Sequence, residues 1–206
     1  SQQIEKFREL IRQVFFVLVS LSIPAIVIFI SCAKEIVHVL FSQNFDRSIL
    51  PLQITAPLIL IVSLSSIFGF QVLSALAKDR QILYSAIIGM SVSVVLSIIL
   101  VPSLMEVGEA ITILVTELSV SVSFIYFTKK YFKVGGLTNM FLKQLAGAIP
   151  YIVFVIIFKI IIEDSVIVLT TISIISLLWF CIYHLFILQN SYFRIYLNKF
   201  IEKIQA

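Results

Sequence analysis

Charge is scarce in this sequence. Asp, Glu, Lys and Arg make up 13% of its 206 residues, whereas 60% are hydrophobic and the mean hydropathy is +1.12. Soluble globular domains are usually about half apolar and about a quarter charged. The shortage of charge therefore excludes a soluble globular chain and predicts a protein surrounded by lipid. The net charge of +4 is carried in short segments rather than on one basic face, so nucleic acid is not an expected partner.

Cysteine and histidine are equally rare, with two of each. Cys32 and Cys181 have no partners at motif spacing, which excludes a disulfide framework and a zinc site. Both cysteines are predicted to be small apolar fillers. His184 is predicted to be a hydrogen-bonded or interfacial side chain, since a lone histidine is a poor metal ligand.

Catalytic motifs are missing as well. No glycine-rich phosphate loop with a lysine is present, which excludes an ATP-hydrolysing subunit. Asp79 stands alone between Lys78 and Arg80, so no inner loop offers the paired acids of a magnesium-dependent transferase. Ser, His and Asp are too scattered for a catalytic triad. The sequence predicts no enzyme, no cofactor and no metal.

What the sequence does contain is six long apolar runs, each about as long as a membrane-spanning helix requires. They predict an all-α integral membrane protein with six transmembrane helices. An amphipathic lead-in over 1–9 precedes them, Pro24, Pro57 and Pro150 are predicted kinks, and Pro102 is predicted to stop the third run. The runs are approximately 10–33, 51–77, 82–101, 110–128, 141–162 and 166–189.

Lysine and arginine are concentrated in alternate gaps between these runs. Twelve of the 15 fall in every second gap or within three residues of it, and acidic residues dominate the other gaps. Cytoplasmic loops of membrane proteins retain Lys and Arg, so both termini are predicted to be cytoplasmic. The twelve are Lys6, Arg8, Arg12, Lys78, Arg80, Lys129, Lys130, Lys133, Lys143, Arg194, Lys199 and Lys203.

Small residues recur at helix-packing spacing in the third and fourth runs. Such stripes bring helices close together and let hydroxyls bond between them, and lining a polar cavity is the alternative. The stripes consist of Ser85, Gly89, Ser93 and Ser97, then Thr112, Thr116, Ser119 and Ser123.

Glu117 is the most informative single residue. It lies eight positions into the fourth run, about 12 Å along the helix axis and so near the bilayer midplane. A carboxyl group there is costly unless it is protonated, paired or hydrated. It is either a transport group facing a hydrated cavity or a neutral group that fixes helix packing. Together with Thr116 and Gln71 it forms the candidate transport cavity.

Two further sets of polar residues lie toward the outer side. Lys159, within the fifth run, is predicted to snorkel and to pair with Glu163 four residues on. The segment 34–49 is the largest outer gap, and its apolar core is predicted to lie in the interface or to extend the first helix. His38, Asp46 and Arg47 in that segment are candidate headgroup contacts.

Three stretches resemble the polysaccharide repeat-unit (O-antigen) flippase family of the multidrug/oligosaccharidyl-lipid/polysaccharide exporter superfamily. The first is the Pro24 helix with its outer segment, similar to a kinked helix followed by a Leu-Phe-Gly-x-x-Tyr/Phe loop. The second opens and closes the second run, and the third precedes Glu117. Ser42 and Glu109 depart from the pattern, which has glycine and a small residue there. The matching stretches are 36–45, 50–54 with 76–80, and 107–112.

The resemblance implies a two-lobed exporter fold of twelve to fourteen helices, of which this chain supplies the last six. Residues 1–130 would belong to the C-terminal lobe, and 131–206 would be the last two helices with a basic cytoplasmic tail. The implied activity is movement of an undecaprenyl-diphosphate-linked oligosaccharide across the bacterial inner membrane by alternating access. Implied partners are this lipid, membrane lipids, the remaining N-terminal helices, a polysaccharide polymerase and a chain-length regulator.

Two other activities remain open from the sequence, beside a scaffold subunit with no transport role. A drug or small-solute exporter of the same superfamily would need acidic and aromatic cavity groups, whereas a flippase needs cations for the diphosphate. A membrane glycan polymerase or ligase would be expected to carry a large outer loop rich in Arg and His, which the segment 34–49 does not provide.

Overall fold

The computed structural model describes residues 2–41, 43–131, 136–162 and 165–183, and helix occupies almost all of them. A short 3-10 segment (Gln43–Ser48) precedes the second run, and a π-helical segment (Ser66–Leu73) lies within it. Glu163, Asp164, Gly135, His184 and the tail 190–206 lie outside the described residues. The α-helices are α1 (Gln2–Ser31), α2 (Ala33–Phe41), α3 (Ile49–Thr55), α4 (Leu58–Ser65), α5 (Asp79–Tyr131), α6 (Leu137–Ile161) and α7 (Ser165–Ile182).

Three helices are long and apolar enough to cross a membrane: Gln2–Ser31, Asp79–Lys130 and Leu137–Ile161. The bent pair Asn44–Thr55 and Leu58–Leu73 would be a fourth span if it crosses as one unit. The apolar helix Val166–Ile182 is shorter. The all-α membrane class is thereby confirmed, and the count of six crossings stays a prediction.

The first run and its outer segment form one nearly continuous helical path. α1 begins at Gln2, so the amphipathic lead-in is its first turns rather than a separate element. Hydrogen bonds from the Cys32 amide to the Ile28 carbonyl (2.8 Å) and from the Ile36 amide to the Cys32 carbonyl (2.9 Å) carry the helix into α2. Extension of the first helix, one of the two predictions for this segment, is observed, and its place relative to the membrane interface stays a prediction.

The second run bends at Pro57 and then changes from α-helical to π-helical hydrogen bonding. Pro57 lies between α3 and α4, where the path bends by 42°. Proline lacks the amide that would continue the helical bonding, so the predicted kink has its physical cause here. Below α4 the π-helical segment widens the bonding, as in the bond from the Ser74 amide to the Gly69 carbonyl (3.2 Å). Ala77 ends the path in the left-handed region, with φ 52.

The third and fourth runs form the two arms of α5, which reverse at Met105 (φ 49, ψ −122). The arms lie antiparallel: a Cβ on Gly108 would overlap the Leu100 carbonyl, and one on Gly89 would overlap Val120. Because the first arm continues past Pro102, the prediction that this proline ends the run is wrong by a few residues. Pro102 is tolerated because it removes only one helical bond near the end of the arm.

α1 lies at the centre of the packing, with α6 on one side and α4 on the other. The arms of α5 pack on α3, α4 and the π-helical segment, while α7 packs on α6 and α2. A second, smaller cluster near the α1–α2 junction buries Cys32 with Val155, Val168 and Ile172, as predicted for an apolar filler. The main core consists of Ile11, Phe15, Val19, Ile23, Ile67, Phe68, Val72, Leu73, Phe124, Ala148 and Tyr151.

Candidate functional site

Glu117 lies near the middle of the second arm of α5, about 18 Å from the reversal at Met105 along an arm of about 39 Å. It is half-buried, and it forms no hydrogen bond or ion pair within the part of the chain that the structure describes. The spacing of four and three residues places it on one helix face with the buried residues Ala110, Ser121 and Phe124. The carboxyl group therefore lies at an interface between helices, midway along an apolar arm.

The partner across this interface is the second span. Phe124 packs so closely against Gly69 that a Cβ there would fall 2.6 Å from its ring. Farther along the same face, the buried Thr128 hydroxyl donates to the Phe68 carbonyl at 3.2 Å. The hydroxyl satisfies a carbonyl within the π-helical segment, where the regular α-helical bonding is interrupted. These contacts fix the register of the two spans.

A polar level lies one turn above that contact. The chain reverses at Ala77 and again at Met105, so the second span and the second arm of α5 run parallel. Counting from the Gly69–Phe124 contact, Ser65 (four residues before Gly69) and Ser121 (three before Phe124) are expected at about the same level. Both are buried, and the Ser65 hydroxyl has no hydrogen-bond partner among the described residues. Glu117 lies one turn higher still.

Thr116 and Gln71, the other predicted cavity residues, are not joined with Glu117. Thr116 faces the first arm of α5, where its Cγ2 lies 3.8 Å from the position of a Cβ on Gly89. Its hydroxyl is buried without a partner among the described residues. Gln71 is half-buried in the π-helical segment, about 13 Å below the level of Glu117 in this register.

The small-residue stripes bring the two arms of α5 together, but the predicted hydrogen bonds from their hydroxyls to another helix are not found among the described residues. Ser85 and Thr112 are fully buried, and each bonds to a carbonyl of its own helix. Ser119 and Ser123 likewise donate to the carbonyls four residues earlier, both at 2.8 Å. Between its close contacts, the α5 hairpin opens into a cavity of about 400 Å³ lined mainly by valines and by Ser91 and Ser119.

The segment 34–49 brings together two of its three candidate residues. His38 Nε2 lies 2.6 Å from Asp46 Oδ1, which closes the 3-10 segment onto α2. Arg47 is exposed and is not part of this pair. Gln53 braces α3 against α1 by donating to the Ile30 carbonyl at 2.9 Å. The His38–Asp46 pair therefore has a structural role, joining the 3-10 segment to α2 at an exposed edge.

Lys159 forms a contact that sequence reasoning missed. Its Nζ lies 2.9 Å from Glu35 Oε1 and donates to the Ser31 carbonyl at 2.6 Å, so it ties α6 to the α1–α2 junction. The predicted partner, Glu163, lies outside the described residues. The sequence offers one signal for this contact. Glu35 and Lys159 lie at similar depth, because each is close to the predicted outer end of its apolar run.

Within the described ranges, no group of three or more His, Cys, Asp or Glu residues could hold a metal ion. No protein-family model, no curated protein and no solved structure matches the chain.

Proposed function

We propose that this chain is part of a flippase that carries an undecaprenyl-diphosphate-linked oligosaccharide across the bacterial inner membrane for O-antigen or capsule synthesis. In this proposal its six runs all cross the membrane, with both termini in the cytoplasm. The substrate class comes from the resemblance of 36–45, 50–54, 76–80 and 107–112 to polysaccharide repeat-unit flippases.

The observation that carries a transport role is the position of Glu117. A carboxyl group midway along an apolar arm is costly in lipid, and such residues usually serve substrate or ion pathways. Here it is half-buried beside a level that holds a second polar group without a partner among the described residues, the Ser65 hydroxyl. A purely structural carboxyl group would be expected to have a bonding partner.

The second span supplies features that suit a moving part. It is bent at Pro57 and π-helical from Ser66 to Leu73, directly across from the arm that carries Glu117. π-Helical turns are frequent at functional sites, and broken spans persist where they line a cavity or contact protein. Alternating access would need a helix of this kind next to the transport group.

We propose that the membrane-spanning part of this chain does not supply the cations that bind the diphosphate. Lys159 is already engaged by Glu35 and the Ser31 carbonyl. We assign diphosphate binding to N-terminal helices of the other lobe, and to this chain the cavity wall and Glu117. The polysaccharide polymerase and the chain-length regulator are the proposed partners at the outer face.

The Glu117→Gln substitution tests this role. It removes the charge and keeps the shape, and we expect surface polysaccharide in a complemented deletion strain to fall about ten-fold or more, the equivalent of about 1.4 kcal/mol or more. Glu106→Gln, an exposed carboxylate at the outer turn, is the matched control and should keep wild-type levels. Wild-type polysaccharide with Glu117→Gln at equal expression would contradict the role of Glu117.

A drug or small-solute exporter is the second candidate, favoured by one observation. Glu117 is acidic, and two turns along the same face of α5 the Phe124 ring contacts Phe70, with ring centroids 6.3 Å apart. Such a site suits an organic cation. Resistance to cationic dyes that depends on Glu117, with surface polysaccharide unchanged, would favour this candidate over the flippase.

A further inference from the structure

An apolar groove runs along α1 beside α7, apart from the residues discussed above. Its volume is about 380 Å³, and one residue of α7, Phe180, forms part of its wall. The polar group in the lining, the Ser20 hydroxyl, already donates to the Val17 carbonyl at 3.0 Å. The lining thus offers a ligand only hydrocarbon contacts. It consists of Val14, Phe16, Val17, Leu18, Ser20, Leu21 and Phe180.

The groove continues toward the N-terminus as a stripe on the α1 surface. Lys6, Leu10, Val14, Val17 and Leu21 follow one another at spacings of four and three residues, which places them on one helix face. Leu10 is 56% exposed and Leu21 is 53% exposed, so the stripe is open along its length. It presents a lysine at one end and hydrocarbon along the rest.

The length of α1 indicates which leaflet of the bilayer the stripe would face. A bilayer core of about 30 Å takes about 20 helical residues, so counting back from Ser31 reaches Ile11. The groove residues then lie in the inner half of the bilayer. Lys6 lies about 8 Å beyond the hydrocarbon edge, at the level of the headgroups.

The charges at this level favour an anion. Arg8 lies 3.9 Å from Glu5 and Arg12 lies 3.7 Å from Glu9, so these pairs largely balance. Lys6 is exposed and has no ion pair among the described residues. A lysine near the membrane surface attracts anionic headgroups.

We propose that this groove binds one anionic phospholipid of the inner leaflet, with an acyl chain along Leu10, Val14, Val17 and Leu21 and the phosphate at Lys6. Phe180 closes the groove behind the chain. The lipid would be a structural component that fills the gap between α1 and α7. The proposal requires membrane insertion with the N-terminus in the cytoplasm, but not a flippase activity.

Photo-crosslinking tests the proposal. The purified protein is reconstituted with phosphatidylglycerol or phosphatidylcholine that carries a diazirine in one acyl chain, and crosslinked residues are located by mass spectrometry. We expect crosslinks within Val14–Leu21 and near Phe180, with more from phosphatidylglycerol. Equal crosslinking by the two lipids, or none at these residues, would overturn the proposal.

Two variants and their controls separate headgroup from chain. Lys6→Gln should lower the preference for phosphatidylglycerol about five-fold, the contribution expected of one lysine near the headgroups. Lys129→Gln, an exposed cation on α5, should leave it unchanged. Val17→Phe, which fills the groove, should abolish the α1 crosslinks, whereas Val94→Phe on the first arm of α5 should not.

An unchanged preference in Lys6→Gln, or unchanged crosslinks in Val17→Phe, would refute the assignment. Competition provides the last arm of the test. Unlabelled phosphatidylglycerol should displace the probe, whereas an equal amount of polyprenyl phosphate should not. Displacement by polyprenyl phosphate would overturn the phospholipid assignment and make the groove part of a path for the lipid-linked substrate.

Discussion

Lys159 shows how a charge is accommodated within an apolar helix. Its ammonium group contacts Glu35 at 2.9 Å and the last carbonyl of α1, that of Ser31, at 2.6 Å. The sequence predicts the lysine's structural role, but the predicted partner was local in the chain. The observed partner is remote because α6 packs on α1, and periodicity carries no information about which helices pack together.

Removing this lysine should weaken the fold. Lys159→Met leaves the Glu35 carboxylate, 12% exposed, without its counter-charge. We expect the free energy of unfolding in detergent to fall by about 1–3 kcal/mol, because the pair is only partly buried. Lys143→Met, an exposed lysine near the N-terminal end of α6, should change it little. Adding Glu35→Gln to Lys159→Met should restore part of the loss, and strict additivity would contradict the pairing.

Glu117 marks the limit of prediction at the residue scale. Its mid-arm depth follows from counting along the fourth run, and its face follows from the spacing of Ala110, Ser121 and Phe124. What the sequence cannot supply is the register against the second span, because that depends on Gly69 accepting the Phe124 ring. The polar level of Ser65 and Ser121 follows from that register.

At the scale of elements, the α5 hairpin is the least regular feature. Run lengths predict two helices with a break between them, but the break occurs at Met105 rather than at Pro102. A backbone with φ 49 and ψ −122 matches the first central position of a type II′ turn, which favours glycine. The end of a helix tolerates a proline, whereas the chain reversal requires a residue with positive φ, which is Met105.

Met105→Gly should therefore stabilise the protein. Backbone strain of this kind costs about 1–3 kcal/mol. Replacing Met105 by glycine relieves the strain, but ordering the more flexible glycine on folding offsets part of this stabilisation. We expect a net increase of about 1 kcal/mol in the free energy of unfolding, since Met105 is 64% exposed and buries little. Leu104→Gly, in the helical neighbour, should instead destabilise by about 1 kcal/mol. The same loss in both variants would contradict the turn.

The two glycine contacts of the hairpin should respond differently to alanine. The new methyl group at Gly89 meets the Val120 side chain, whereas at Gly108 it meets the Leu100 backbone carbonyl. Overpacking costs about 1–3 kcal/mol, and only a side chain can be trimmed to relieve it. Val120→Ala should rescue Gly89→Ala in an unfolding assay and should not rescue Gly108→Ala. Rescue of both would show that the arms are not in this register.

At the scale of the whole molecule, composition predicts a protein surrounded by lipid, because too little charge is present to cover a soluble surface, and the lengths of the apolar runs predict the all-α class. Charge alternation predicts which gaps share a side, but not that α1 lies between α6 and α4. The continuous path through Cys32 into α2 was one of two predictions, since an apolar segment of that length suits an interface as well. Helix order in space depends on packing between remote residues.

The alternating topology is the central claim on which the flippase proposal and the lipid site both depend. Single cysteines at Asn44, Ala75, Ser103 and Thr138, all exposed, test it in intact cells with a membrane-impermeant thiol reagent. The background protein lacks Cys32 and Cys181. Asn44 and Ser103 should react at once, and Ala75 and Thr138 only after permeabilisation. Labelling of Ala75 and Ser103 from the same side, or the inverse pattern, would contradict the account.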